Sequence, residues 1–295
     1  MKINLIGTTF VDVLFKMKEV KILFDNISFA EEGRLTPGGN GSNVAINLCR
    51  KGLDVDYYGQ VGNDTHGQFL KEQFAHFGIN MEGLRVSPVE QTGMSLILVN
   101  QSGERSVTSF QGSNDYFDFN TFTSRGDAVV IAGIGLLPNV DSRIGEILQE
   151  TKANGIPVFL GGSPNIAVIR RFLMSGQYRD VDFFFLNIRE ACDVARTSDV
   201  LQAGYFFQKF GVKNVFITAG PNGIHYFGEG QVYQYVRIRS VQPCDSTGAG
   251  DAFMAGTIHH YLLTQEIDEA IFAGHQMALE TINKIGAVPV KGDLK

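Results

Sequence analysis

The chain has no tryptophan, only three cysteines and no excess of positive charge. The missing tryptophan excludes nothing about the fold. Cys49, Cys192 and Cys244 show no Cys-x-x-Cys spacing, which argues against a disulfide framework or a thiolate zinc site. They read as small buried hydrophobes in a reducing compartment. A formal net charge of −6 gives no electrostatic support to a nucleic-acid or anionic-membrane partner. No stretch approaches the roughly 18 uninterrupted apolar residues of a membrane span. The opening Met1-Lys2-Ile3-Asn4-Leu5-Ile6-Gly7 has too short an apolar run for a signal peptide, so a cytoplasmic protein is expected. Common site signatures are missing too: there is no GK[ST] of a Walker-type loop, no HExxH and no GxSxG. A dinucleotide GxGxxG starting at Gly39 fails because Val44 stands where its last glycine is needed.

What is present is an alternation of short apolar runs with longer amphipathic ones, without internal repeats or low-complexity linkers. Strands are expected at Lys2–Ile6, Val55–Gln60, Ala128–Ile131, Val158–Leu160, Phe183–Leu186 and Val215–Thr218. Helices are expected at Asn43–Lys51, Gly67–Phe77, Ser142–Ala153, Ile166–Leu173, Glu190–Ala195, Val200–Phe210, Ala252–Leu263 and Asp268–Ile285. Such alternation predicts an α/β fold, a mostly parallel sheet covered by helices. Two stretches break the rhythm. Residues 11–36 hold short β-like pieces around a loop, and residues 92–110 read as a hairpin turning at Gln101-Ser102-Gly103. Paired, they would form a small sheet over a cleft, a natural lid.

The most informative segment is Asp245-Ser246-Thr247-Gly248-Ala249-Gly250-Asp251. A strand-like stretch (Val232 to Val241) leads in and an apolar-periodic one (Ala252 to Leu263) leads out, so it reads as a glycine-rich turn opening a helix. A helix start offers unpaired N–H groups and the positive end of the macrodipole to an anion. Gly248 and Gly250 would keep side chains out of its way. Asp251 would repel that anion unless its carboxylate has a task there, such as taking a proton from a hydroxyl that attacks a phosphate. An ordinary helix start with an acid in its first turn is the alternative. A second cluster, Pro37-Gly38-Gly39-Asn40-Gly41-Ser42-Asn43, precedes another helix-like run. Its adjacent glycines permit a sharp turn and close ligand approach, and Asn43 offers both a donor and an acceptor.

These two clusters resemble the signature motifs of ribokinase-like (PfkB) carbohydrate kinases, and the resemblance extends along essentially the whole chain. Gly7 to Asp12 is similar to the family's opening strand with its substrate-binding aspartate. Gly59-Gln60-Val61-Gly62-Asn63-Asp64-Thr65-His66-Gly67 is similar to its Gly-x-x-Gly-x-Asp-x-x-Gly run. Asn187-Ile188-Arg189-Glu190 resembles its Asn-x-x-Glu motif, and Thr218-Ala219-Gly220-Pro221-Asn222-Gly223 its Thr-x-Gly-x-x-Gly loop.

The resemblance implies one three-layer α/β/α ribokinase-like domain over residues 1–295, with lid strands from about 11–36 and 92–110. It implies ATP-dependent phosphorylation of an alcohol, commonly the CH2OH of a sugar. Asp251 would be the base, with Gly248, Ala249 and Gly250 as anion hole. Asp12, Gly38, Gly39 and Asn43 would bind the sugar, and Arg105 on the hairpin could meet a substrate phosphate or carboxylate. Asn187 and Glu190 would reach magnesium through water. Thr218, Gly220 and Gly223 would follow the nucleotide, its adenine walled by Ala278, Thr281 and Asn283. Family members often use a monovalent cation, and Asp245, Thr247 and residues 285–288 match its position, leaving potassium open. His66, His259, His260 and His275 form no metal spacing and read as structural or surface residues.

Some features depart from ribokinases proper. Asn40 stands where they carry lysine after Gly-Gly, and Ile131-Ala132-Gly133-Ile134 lacks their acidic sugar ligand. Ribose is therefore not favoured over other sugars, keto-deoxy sugar acids, aminated or glycated sugars, or nucleosides. A non-catalytic sugar- or nucleotide-binding homologue and a dinucleotide oxidoreductase are the competing classes. The exposed outer face of a lid sheet predicts a homodimer.

Overall fold

A computed structural model describes residues 1–20, 25, 27–118, 122–162, 164–238 and 241–293. Parts of the 11–36 stretch and of the run leading to Asp245 lie outside them. The first part of the chain runs β1 (Lys2–Gly7), β2 (Phe10–Lys16), β3 (Glu32–Gly38), α1 (Asn40–Arg50), β4 (Asp54–Gly62), α2 (Thr65–Phe77), β5 (Leu84–Ser87), β6 (Gly93–Val99) and β7 (Arg105–Phe110). The second part runs β8 (Ala128–Ala132), α3 (Pro138–Ala153), β9 (Val158–Gly161), α4 (Ile166–Met174), β10 (Phe183–Asn187), α5 (Ile188–Ala195), α6 (Val200–Lys209), β11 (Asn214–Thr218), β12 (Ile224–Gly228), β13 (Val232–Val236), α7 (Ala249–Thr264) and α8 (Ile267–Ile282).

The large sheet has nine strands in the order β13-β12-β11-β10-β9-β8-β1-β4-β5. It is parallel from β11 to β5, and β12 and β13 add an antiparallel edge. Its strands β8 and β9 are apolar at every position, and the middles of β10 and β11 likewise, as helices cover both faces. The period of two divides them cleanly. Phe184 and Leu186 of β10 pack with Val140, Ile144, Ile169 and Phe207 under α3–α6. Phe183 and Phe185, pointing the other way, pack with Val44, Phe253 and Met254 under α1 and α7. The Phe183-Phe184-Phe185 run is thus shared between the two cores.

The strand order reverses between β1 and β8, which pair in register at Gly7 and Ala132. In open α/β sheets ligands bind at the carboxyl ends of the strands at such a switch point. Here α1 starts right against it. A Cβ on Gly7 would stand 2.4 Å from Gly41 Cα, so only glycine lets the first turn of α1 sit this close to the end of β1.

The remaining strands form a separate four-stranded sheet, β3-β2-β6-β7. One face, through Val11, packs on Val61 of β4 and Leu70 of α2. The other carries Asp12, Ser95 and Ser109 side by side across β2, β6 and β7. Helix α7 begins at Ala249 and α1 at Asn40. Both starts are earlier than the apolar periodicity predicts, because the glycine-rich turns wind directly into the first helical turn. Strands β5 and β12 escaped the strand expectations based on apolar runs, β5 being short and half-exposed and β12 broken by His225, while β13 falls in the strand-like stretch before Val241. Among the described residues no helix is long and apolar enough to cross a membrane.

Candidate active site

Gly248 precedes α7 with φ 74° and no side chain caps the helix. A Cβ on Gly248 would lie 2.3 Å from Ala287 Cβ, whereas one on Gly250 would meet nothing within 4 Å. The first glycine is demanded by the fold. The second faces open space, inside the first helical turn, at the mouth of two cavities.

The larger cavity, about 850 Å³, is lined among others by Asp12, Asn43, Arg105, Glu190, Gly250 and Asp251. The smaller, about 450 Å³, is mostly apolar and includes Ile224, Ile238, His275, Ala278, Leu279 and Ile282. Thr218, Gly220, Ser246, Ala249, Gly250 and Phe253 line both, so the two meet at the start of α7.

Asp251, in the first turn of α7, is held at both oxygens. Asn40 Nδ2 donates to Oδ1 and Asn43 Nδ2 to Oδ2, each at 2.8 Å. Burial pushes its pKa up; the two amides and the charge of Arg105 oppose that. Asn43 Oδ1 is buried without a hydrogen-bond partner, an acceptor left for a ligand. Asn40 lines the cavity too; the sequence flagged it only as a departure from the family pattern. Nothing in the sequence pairs it with an aspartate so far along the chain.

Beneath the small sheet, Asp12 is only 4% exposed. A Cβ on Gly38 would fall 2.0 Å from its Oδ1. Gly38 does not line the cavity itself, which corrects its expected ligand role: it makes room for the Asp12 carboxylate. Gly39 does line it. Burial raises the Asp12 pKa to about 7, against a hydrogen bond from Ser95 and the charge of Arg105. Ser95 and Ser109 hydroxyls lie 3.0 Å apart, and Gln111 Oε1 is another buried acceptor without a partner. None of Ser95, Ser109 or Gln111 belongs to a sequence motif, and only the strand register finds the two serines.

The raised Asp12 pKa has a stability consequence. An acid whose folded pKa exceeds its unfolded value stabilises the fold while protonated, below about pH 4, and that contribution is lost as pH rises through about 7. Asp12→Asn is therefore expected to gain stability over wild type between about pH 4 and pH 8, by on the order of 2–4 kcal/mol. Urea unfolding of both proteins at the two pH values checks this. A gap that does not change with pH would mean the Asp12 charge is not desolvated in the fold.

Asn187 and Glu190 form a reciprocal cap at the start of α5: Asn187 Oδ1 accepts from the Glu190 N–H at 2.8 Å, and Glu190 Oε2 from the Asn187 N–H at 3.0 Å. Both line the larger cavity. Burial raises the Glu190 pKa, and the Asp251 charge adds to it. Asp245 is buried, its Oδ1 accepting from Thr247 N and Oγ1 and its Oδ2 from Gly286 N. It ties the segment around residue 286 to the turn before α7. Among the described residues no group of three or more His, Cys, Asp or Glu could hold a metal.

The expected wall on α8 is corrected. Ala278 lines the apolar cavity, with His275, Leu279 and Ile282, and His275 is thus more than a surface residue. Thr281 does not line this cavity and instead borders a small cleft with Lys284 and Val288. Asn283 does not line the cavity either; its amide donates to the Leu279 carbonyl and closes the helix end. The face of α8 toward the cavity follows the helical period, 275, 278, 279, 282. Thr218, Gly220 and Gly223 do line it. The tip of the β6–β7 hairpin, Ser102 to Glu104, forms the facing wall, with Ser246 Oγ donating to the Gly103 carbonyl.

The sequence matches the pfkB family carbohydrate kinase profile over residues 2–291. A ribokinase from Haemophilus influenzae is 28% identical over 258 residues, 85% of this chain and 82% of the relative. The adenosine kinase structure from Sinorhizobium meliloti superposes with TM-score 0.83 at 21% identity, over 98% of this chain and 95% of that one. The Arabidopsis thaliana ribokinase complexed with ribose and ATP gives TM-score 0.78 at 22% identity, over 97% and 93%. At such identities the two structures speak for the fold, and the profile, matched from one end of the chain to the other, speaks for the family. The chain belongs to the pfkB family of carbohydrate kinases.

Proposed function

We propose that this kinase transfers the γ-phosphoryl group of ATP to a hydroxyl, a CH2OH in the simplest case, of a sugar or related small molecule, with Asp251 as base. The observation that carries the reading is the place of Asp251: in the first turn of an uncapped helix, where the apolar and the polar cavity meet. The base of the nucleotide goes into the apolar cavity beside Ala278 and His275. Its phosphates pass Thr218, Gly220 and Gly223 toward the N–H groups at Ala249, held only by a 3.4 Å bond to the Ser246 carbonyl, and at Gly250. The acceptor lies under the small sheet, its hydroxyls donating to Asp12, Asn43 Oδ1 and Gln111 Oε1.

In the transfer, Asp251 takes the hydroxyl proton as the oxygen attacks phosphorus. The bond to the ADP oxygen breaks, and charge spreading over the phosphoryl oxygens faces the N–H groups of α7 and the Arg105 guanidinium. Asp12, Glu190 and Asp251 all repel an incoming triphosphate, so a cation is needed. Asn187 and Glu190, with no third ligand beside them, fit magnesium, which keeps most of its own water. When bound it supplies charge neutralisation of the phosphates. A monovalent cation, held mainly by backbone carbonyls, would have its place where Asp245 ties the turn before α7 to Gly286. That relatives carry the names ribokinase and fructokinase, and that one was solved with ribose and ATP, supports a sugar acceptor.

The test is ADP release from Mg·ATP with D-ribose, D-fructose, keto-deoxy sugar acids, glycated or aminated sugars, and nucleosides. Acceptor-dependent release is expected. ATP binding with no release on any acceptor would favour a non-catalytic homologue. Failure to bind ATP would sink the assignment of the two cavities.

We also infer a homodimer. Phe15, Leu35, Met94, Leu96 and Phe110 stay exposed and share the face of the small sheet opposite Asp12. Two such faces packed across a two-fold axis would cover them. Light scattering is expected to give twice 32.4 kDa, and Leu96→Lys to lower it. A monomer mass at every concentration would rule the dimer out.

A further inference from the structure

Asn40 has no part in the reading above, yet it touches the residue on which that reading turns. A carboxylate cannot donate while ionised, so both asparagines must present N–H groups to Asp251. The contacts come from the first turn of α1, whose approach is fixed by the Gly7–Gly41 contact, onto the first turn of α7. Asn40 and Asn43 lie one helical step apart on one face of α1. Together they grip the two oxygens of a single carboxylate.

We propose that Asn40 is a positioning residue of the phosphotransfer, its amide fixing the rotation of the Asp251 carboxylate and keeping it ionised at the base of the cavity. The proposal rests on Asp251 being the base. Two consequences follow from the geometry. With one oxygen held by each amide, the carboxylate keeps one orientation, its remaining lone pairs turned to the acceptor's hydroxyl. With Asn40 removed, half of that hold is lost and burial works against the charge with less opposition. Other charged groups acting on Asp251 are Arg105 from β7, Glu190 from α5 and Asp12 from β2. They are common to every variant at position 40, so differences within the series report that position alone.

The experiment is the carboxyl 13C titration of Asp251 in the free protein, its signal assigned by loss in Asp251→Asn. The wild type is compared with Asn40→Ser, Asn40→Ala, Asn40→Asp and Asn40→Lys. The midpoint is expected to rise by about one pH unit in Asn40→Ala and further in Asn40→Asp, to fall in Asn40→Lys and to rise least in Asn40→Ser. The charged variants move the midpoint by their own field and set the scale, whereas a role confined to helix packing would leave Asn40→Ala at the wild-type midpoint. An Asn40→Ala midpoint that coincides with the wild type would overturn the proposal. The reading of Asp251 is tested separately by turnover of Asp251→Asn with D-fructose and D-ribose. An inactive Asp251→Asn with an unmoved Asn40→Ala midpoint sinks the role of Asn40 alone, and an active one sinks the base.

Discussion

Asp251→Asn is expected to lower kcat by about 10²–10⁴, the range for loss of a general base, while ADP binding and the melting temperature stay close to wild type. The separation follows from where the side chain sits. The nucleotide's proposed contacts are the walls of the apolar cavity and the N–H groups of α7, none of which the substitution touches. Stability is spared because two effects oppose each other. Burial raises the Asp251 pKa, so the charged form is disfavoured in the fold, and a neutral amide removes that cost. Against it, Asn40 or Asn43 must turn its amide to find an acceptor, a loss of about 1 kcal/mol. Calorimetric titration of ADP, a thermal melt and the ADP-release assay together check the pattern. A variant that keeps kcat within about threefold of wild type would remove proton abstraction by Asp251 from the mechanism.

That Asp251 was legible at all depends on its position. A carboxylate where an anion is expected is a contradiction at the level of sequence, and such contradictions mark chemistry. The strands of the central sheet were legible for a different reason. Buried on both faces, they appear as short, wholly apolar runs, and the division of Phe183-Phe184-Phe185 between two cores is what such a run encodes. A strand broken by a polar residue carries less of that signal, which is why β12, buried but interrupted by His225, was not among the expected strands. Most of the cavity-lining residues that the sequence pointed to stand in glycine-rich turns or at helix starts, with Asp12 and Arg105 on strands of the small sheet. Those missed were of another kind. Ser95 and Ser109 reach Asp12 through strand register, and Asn40 reaches Asp251 through the packing of α1 on α7. His275 reaches the apolar cavity through the rotational phase of α8. Gly38 and Asn283 stand next to lining residues in the sequence without lining either cavity themselves.

Gly248 and Gly250 should respond in opposite ways to the same added methyl. Gly248→Ala places an L side chain at φ 74° and drives its Cβ to 2.3 Å from that of Ala287. The backbone conformation alone costs roughly 1–2 kcal/mol, and the contact with Ala287 adds to it, so this variant should melt earlier and lose activity along with its fold. Gly250 lies within α7 at ordinary helical dihedrals and its methyl meets nothing. Alanine is the better helix former there by up to about 1 kcal/mol. Gly250→Ala should therefore melt at or above the wild-type temperature. Its methyl would nevertheless stand in the space through which phosphoryl oxygens must come to reach the N–H groups of α7. Loss of one such donor contact typically lowers kcat by about 10²–10³, and a drop of that size is expected in the ADP-release assay. A glycine that is dispensable for stability and indispensable for turnover can only be serving a ligand. If Gly250→Ala turned over at the wild-type rate, the start of α7 would be a helix start and nothing more, and the phosphoryl group would have to be stabilised from elsewhere in the cavity.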